Sequence, residues 1–210
     1  MKIKVLLADD HVSVRNGLRK MLSRSPNVDV IGEAENGFEA LKLAEKLEPD
    51  VLLLDVEMPG MKGYEVARRL TEEGSLVRIL ALSGYNEKQY ILGMFANGAV
   101  GYLTKDEVPG QLLNAVGEIA AGRKGWISTK VAERLGIPAR PVGRDTMPAI
   151  SRVELQILRQ LLHGKTDAEI AAALEIKTGT LNEKIETLMR KLGVRSRPEA
   201  VLRAMQEDLI

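Results

Sequence analysis

Asp50-Val51-Leu52-Leu53-Leu54-Asp55 is the stretch that decides the fold. Four apolar residues in a row, bounded by turn signals, are the pattern of a strand covered on both faces. The residues that follow, Val56-Glu57-Met58-Pro59-Gly60-Met61-Lys62-Gly63, form a loop punctuated by Pro and Gly. Ligands of an open parallel sheet sit at the carboxyl ends of its strands, so Asp55 is expected at the lip of a crevice. An earlier apolar run, Ile3-Lys4-Val5-Leu6-Leu7-Ala8, also ends in acids, Asp9-Asp10. If the two strands are neighbours, three carboxylates meet at one place. Like charges that close either raise a pKa or take up a cation. A hard divalent ion held by oxygen ligands, such as Mg²⁺, meets that need.

Outward from this strand, the first 121 residues alternate strand and helix signals. A helix over 12–24 carries Val14, Leu18, Met21 and Leu22 on one stripe. A short strand, 28–32, precedes the Asn36-Gly37 turn and a helix over 38–47. After the Asp55 strand come a helix near 63–72, a strand at 77–83, a helix near 87–97, a strand at 100–103 and a helix over 108–121. Five strands alternating with five helices give an α/β doubly wound five-stranded parallel sheet with right-handed crossovers.

Beyond Gly122 the pattern changes. Residues 122–147, rich in Gly and Pro around a short helix at 128–135, read as a linker. Residues 148–210 hold only helix patterns and form a smaller all-α domain. Ser151-Arg152-Val153-Glu154 is a capping box for 152–162, Asp167 caps 168–174, a longer helix spans 178–192, and Pro198 lies near the first turn of the last. Helix, short turn, helix in so small a unit fits a helix-turn-helix.

Composition narrows the function. The chain has no cysteine, which excludes disulfides and thiolate metal sites. No run of about 18 apolar residues offers a membrane span, and the N-terminus runs straight into a strand pattern, so a cytoplasmic location is expected. Charge is uneven. Residues 1–121 carry 14 Lys/Arg against 18 Asp/Glu, residues 122–147 carry 6 against 2, and residues 148–210 carry 10 against 9. The last domain lacks the strongly basic footprint usual for nucleic-acid binding.

Asp9-Asp10, Asp55, Met58-Pro59, Gly63, Ser83 and Lys105 together resemble the receiver domain of bacterial two-component response regulators, a flavodoxin-like fold. Asp167-Ala168-Glu169-Ile170-Ala171 through Lys191-Leu192-Gly193-Val194-Arg195-Ser196-Arg197 resembles the LuxR-type helix-turn-helix. Both together resemble the NarL/FixJ class. The resemblance implies phosphorylation of Asp55 by a partner histidine kinase, with Mg²⁺ held by Asp10, Asp55 and the backbone carbonyl of Glu57, and by Asp9 through water. Lys105 and Ser83 would contact the phosphoryl oxygens, with Gly84 leaving room for the group to enter. Tyr102 matches the switch aromatic, which turns inward when Ser83 moves. Phosphorylation is then expected to promote a homodimer. Any catalysis is limited to phosphoryl transfer onto Asp55 and its hydrolysis. His11 is expected to play a satisfied structural or a helix-start role and not to ligate a metal.

For the C-terminal domain, Lys165, Thr166, Thr180, Lys184, Lys191 and Arg195 are the candidate DNA contacts, with Arg140 and Arg144 of the linker beside them. The family usually shows Thr-Val-Lys-x-His at the start of the reading helix. This chain has Thr180-Leu181-Asn182-Glu183-Lys184, with a further acid at Glu186. Thr180-x-x-Glu183 also fits a capping box, which would make Glu183 structural and start the helix late. Control of transcription through DNA is the expected function. A phosphorylation-controlled protein-interaction module that no longer binds DNA is the alternative. A phosphatase using Glu57 as its acid is a third reading.

Overall fold

The computed structural model describes residues 2–85, 87–137 and 150–210. It divides into two compact units, Met1–Val131 and Ala132–Ile210.

In the first unit, β1 (Ile3–Ala8), β2 (Val28–Ala34), β3 (Val51–Asp55), β4 (Arg78–Ser83) and β5 (Ala99–Thr104) alternate with α1 (Val12–Leu22), α2 (Gly37–Leu47), α3 (Gly63–Glu72), α4 (Lys88–Ala96) and α5 (Val108–Ala120). The strands are all parallel and run in the order β2-β1-β3-β4-β5, as a doubly wound sheet requires. The chain leaves β1 toward one edge and returns at β3 to build toward the other. The carboxyl ends of β1 and β3 therefore border the crevice of a topological switch point. Leu52, Leu53 and Leu54 of β3 are fully buried, which explains why this strand reads as an unbroken apolar run. Leu53 joins Val5, Leu7, Leu80 and Leu103 of neighbouring strands against Leu18 and Leu22 of α1 and Leu112, Val116 and Ile119 of α5.

Five strands were expected and the sheet has a sixth. β6 (Trp126–Ile127) pairs parallel to β5 through Gly101–Trp126 and Tyr102–Ile127. It lies inside the stretch read as linker. Gly122 and Gly125, at φ of +100° and +64°, adopt the left-handed conformation that brings the chain back beside β5. Trp126 then buries its ring in the core. Two residues are too few for a period-two pattern, so this strand left no signal in the sequence.

A short helix, α6 (Thr129–Leu135), crosses the boundary between the units. The second unit continues with α7 (Arg152–Leu162), α8 (Asp167–Ala173), α9 (Thr178–Leu192) and α10 (Arg197–Gln206). Ser151 and Glu154 form the expected capping box, and the Ser196 side chain caps α10. Two local expectations are corrected. The cap of α8 is Thr166, in a capping box with Glu169, while the Asp167 carboxylate is engaged by Arg197. The Thr180/Glu183 box does not form, because α9 starts at Thr178 and places Thr180 inside its first turn. Arg140 and Arg144 lie outside the described residues. Among the described residues, no helix is long and apolar enough to cross a membrane.

Candidate functional site

The ends of β1, β3 and β5 bring Asp9, Asp55 and Lys105 together. Asp9 and Asp55 are almost fully buried, and Lys105 Nζ stands 2.8 Å from a carboxylate oxygen of each. Asp10 completes the acidic set. One ligand atom from each of Asp9, Asp10, His11 and Asp55 lies within 4.8 Å of the others. Asp9 Oδ2 and Asp10 Oδ1 are buried and accept no hydrogen bond from the described residues. Lys105 approaches the first at 2.8 Å and His11 Nδ1 the second at 2.7 Å, neither with hydrogen-bond geometry. Buried carboxylate oxygens left in this condition fit a hard divalent cation. Burial raises the Asp55 carboxyl above its ordinary value, Lys105 opposes that rise, and the Asp9 charge adds to it. Burial alone would lower the Lys105 ammonium, but its contacts with Asp55 and Asp9 outweigh this and hold it above its ordinary value.

Ser83 ends β4 fully buried, and its carbonyl accepts from the Lys105 N–H at 2.8 Å. Its hydroxyl accepts from Tyr85 N–H at 3.0 Å. Among the described residues, a Cβ placed on the neighbouring Gly84 would meet no atom within 4 Å beyond its own chain neighbours. Tyr102 is turned inward and fully buried. Its hydroxyl donates to the Tyr85 carbonyl at 2.9 Å, tying β5 to the loop after β4. Burial pushes this phenol up to about 12. The Tyr85 ring stacks on Tyr90 with centroids 5.1 Å apart.

Glu57 keeps its side chain out of this chemistry. Its carboxylate pairs with Lys62, while its N–H lies 3.4 Å from Asp55 Oδ1. A carboxylate held by a lysine is poorly placed as the acid of a phosphatase. His11 does sit at the start of α1, but it makes no side-chain cap there and faces the Asp10 carboxylate instead.

Two supporting groups escaped the sequence reading. The buried Arg15 guanidinium donates to the Asp9 carbonyl at 2.7 Å and meets Glu35 at 2.6 Å and Glu33 at 3.3 Å. It fixes the backbone of the acidic loop against β2. The available signal was an arginine beside Val14 and three residues before Leu18, on the inward stripe of a helix. Glu107, two residues after Lys105, accepts from the Thr104 hydroxyl (2.7 Å), Gln111 Nε2 (2.9 Å), the Lys130 N–H (3.0 Å) and the Ser128 hydroxyl. Burial would raise this carboxyl, but the hydrogen bonds win and hold it below the ordinary glutamate value. The loop carrying Lys105 is thereby stitched to β6 and the start of α6.

In the second unit, α8 and α9 form the helix-turn-helix. Thr180 is exposed in the first turn of α9 and Lys184 is half-buried. With Lys191, Glu154 and Ser151 they line a cavity of about 310 Å³ on the flank of α9 that faces α7. Lys191 lies 2.8 Å from the buried Glu154 carboxylate. Burial would raise Glu154, but Lys191 and Ser151 hold it below its ordinary value. Lys191 thus ties α9 to α7. Thr166 is occupied in its capping box, whereas Lys165 and Arg195 are exposed. Lys177, exposed just before α9, is a further cation that the sequence reading passed over.

Comparison with known proteins agrees with this geometry. Residues 5–117 match the response regulator receiver domain, and residues 148–204 match the luxR family of bacterial regulatory proteins. The chain is 34% identical to the nitrate/nitrite response regulator NarL of Escherichia coli over 98% of its own length and 96% of that protein. It is 33% identical to the transcriptional regulatory protein LiaR of Bacillus subtilis over 99% of both. Among solved structures it resembles the response regulator ChrA of a heme-sensing two-component system. That match has a TM-score of 0.55 and 32% identity, covering 100% of this chain and 99% of that one. Two family matches in this order, with relatives a third identical over nearly the whole length, place this chain among the two-component response regulators, with a receiver and a LuxR-type DNA-binding domain of the kind that controls transcription.

Proposed function

We propose that Asp55 accepts a phosphoryl group from a partner histidine kinase and that this changes how the second unit engages DNA. The observation that carries the reading is the Asp55 carboxylate held 2.8 Å from Lys105, beside buried Asp9 and Asp10 oxygens that accept no hydrogen bond among the described residues. An Asp55 oxygen attacks phosphorus, the bond from phosphorus to the donor atom breaks, and an acyl phosphate forms. Such a transfer places charge on the equatorial oxygens, so positioning and electrostatics dominate it. Asp9, Asp10, Asp55 and the Glu57 carbonyl would hold Mg²⁺, which when bound neutralises the crowded carboxylates and the incoming phosphate. Lys105 leaves its position between Asp9 and Asp55 to meet one phosphoryl oxygen, and the Ser83 hydroxyl donates to another. Ser83 and Tyr102 both engage the Tyr85 backbone, so a shift of Ser83 alters the seat of the Tyr102 ring. The resulting state favours a homodimer.

Lys105→Ala tests the switch. The variant is expected to retain Mg²⁺ binding, because the carboxylates remain, while phosphorylation moves it to dimer at least about tenfold less effectively. Mg²⁺ titration and sedimentation of the phosphorylated protein measure the two effects. Full dimerisation of the variant would remove the role given to Lys105.

DNA binding is expected to be weak in the unphosphorylated monomer. Non-specific affinity comes from neutralised phosphates, and Glu183 and Glu186 stand exposed on α9. Two units on adjacent half-sites, about one turn of DNA apart, double the contacts and add an effective-concentration gain. Glu183→Gln with Glu186→Gln should raise affinity for arbitrary duplex DNA and steepen its salt dependence. A mobility shift across a salt series checks this, and unchanged affinity at every salt would show that neither acid faces the duplex.

A further inference from the structure

In a helix-turn-helix, early residues of the second helix reach base edges in the major groove. On α9 the solvent-facing residues of that stretch are Thr178, Gly179, Thr180, Asn182, Glu183 and Glu186. Asn182 is oriented by another helix. Arg197 Nη2 donates to Asn182 Oδ1 at 3.3 Å, and the same guanidinium grips Asp167, with its Nη2 at 3.0 Å. Arg197 takes one lone pair of the amide oxygen and leaves the second lone pair and the amide N–H groups for a ligand. This contact favours one orientation of the exposed amide before DNA arrives, which lowers the conformational entropy lost on binding.

An acceptor beside a donor complements the N6 amino group and N7 of adenine, whereas guanine presents two acceptors and calls for two donors. The neighbours sharpen this choice. Carboxylates at Glu183 and Glu186 repel base edges that present only acceptors, such as guanine N7/O6 and thymine O4, and favour edges that carry an amino group. We propose that Asn182 is the specificity-determining residue of this domain and that it reads an adenine in the major groove. The inference rests on the DNA-binding reading above.

The test uses the full chain, phosphorylated with acetyl phosphate in Mg²⁺, and a random duplex pool. Wild type should enrich a site with an adenine at one fixed position of each half-site. Exchanging that adenine for guanine should weaken binding by about five- to a hundredfold. Purine, which lacks the amino group, or 7-deazaadenine, which lacks N7, should each weaken it by a smaller factor. Asn182→Ala should lose the preference at that position while keeping the other selected positions, and Asn182→Asp should move the preference to cytosine. Circular dichroism melting of both variants establishes that they are folded. An Asn182→Ala protein that still demands the adenine overturns the proposal, as does a wild-type site with no fixed adenine. A pool from which wild type enriches no sequence overturns the DNA-binding reading itself, and the proposal with it.

Discussion

Asp55→Asn is expected to reduce phosphorylation by acetyl phosphate in Mg²⁺ to background. The amide is a poor nucleophile, yet it preserves the shape of the side chain and an oxygen for Lys105 to donate to. The loss is therefore chemical and not structural. A stability measurement separates the two. Burial raises the Asp55 carboxyl in the folded protein. Its ionised form therefore weakens folding once the pH exceeds the ordinary carboxylate range, and this effect fades as the pH falls below it. At neutral pH the Asn variant should melt no lower than wild type. Label retained at the wild-type level would reject Asp55 as the acceptor, and a folded variant without label would support it.

Gly63→Ala is expected to destabilise the first unit by about 3 kcal/mol, near the upper end for inserting a methyl group into a packed region. A Cβ at Gly63 would stand 2.2 Å from the Asp55 carbonyl oxygen and 2.9 Å from Val56 Cα. Both are backbone atoms, so no side chain can swing aside. The strain falls on the peptide that aims Asp55 and the Glu57 carbonyl, so Mg²⁺ affinity should drop together with stability. Trp126 is the sole tryptophan and lies in the sheet core, so its fluorescence follows urea unfolding of this unit in the full chain. Gly84→Ala is the control for stability alone, because among the described residues its Cβ meets nothing within 4 Å beyond its chain neighbours. A Gly63→Ala transition that coincides with wild type would show that the loop relaxes freely.

The pocket was legible because its parts end strands. Asp9, Asp55, Ser83 and Lys105 each follow an apolar run, and a parallel sheet brings such ends to one edge. The helices were legible from their stripes and caps, with boundaries off by only a residue or two. What stayed hidden depends on contacts distant in sequence or on elements too short to show a period. The partners of Arg15, Glu33 and Glu35, lie 18 and 20 residues away, so only the pairing of β2 with β1 brings them beside it. Lys191 reads in the sequence as a candidate DNA contact, and its partner Glu154 lies 37 residues earlier on α7. Orientation is equally invisible in a string of letters. Glu57 was positioned to serve as an acid, and Lys62 occupies its carboxylate.

The hydrogen bonds gathered by Glu107 bear on how this protein can be dissected. A fragment ending at residue 121 keeps the Thr104 and Gln111 donors but forfeits the Ser128 hydroxyl and the Lys130 N–H, along with the β6 ladder. It would expose Gly101 and Tyr102 as a raw sheet edge, open to pairing with other chains, and would leave a carboxylate short of donors two residues from Lys105. The shortest faithful receiver fragment therefore extends past Lys130. Oligomers observed with a shorter one must be compared with a fragment that keeps β6 before they are credited to phosphorylation.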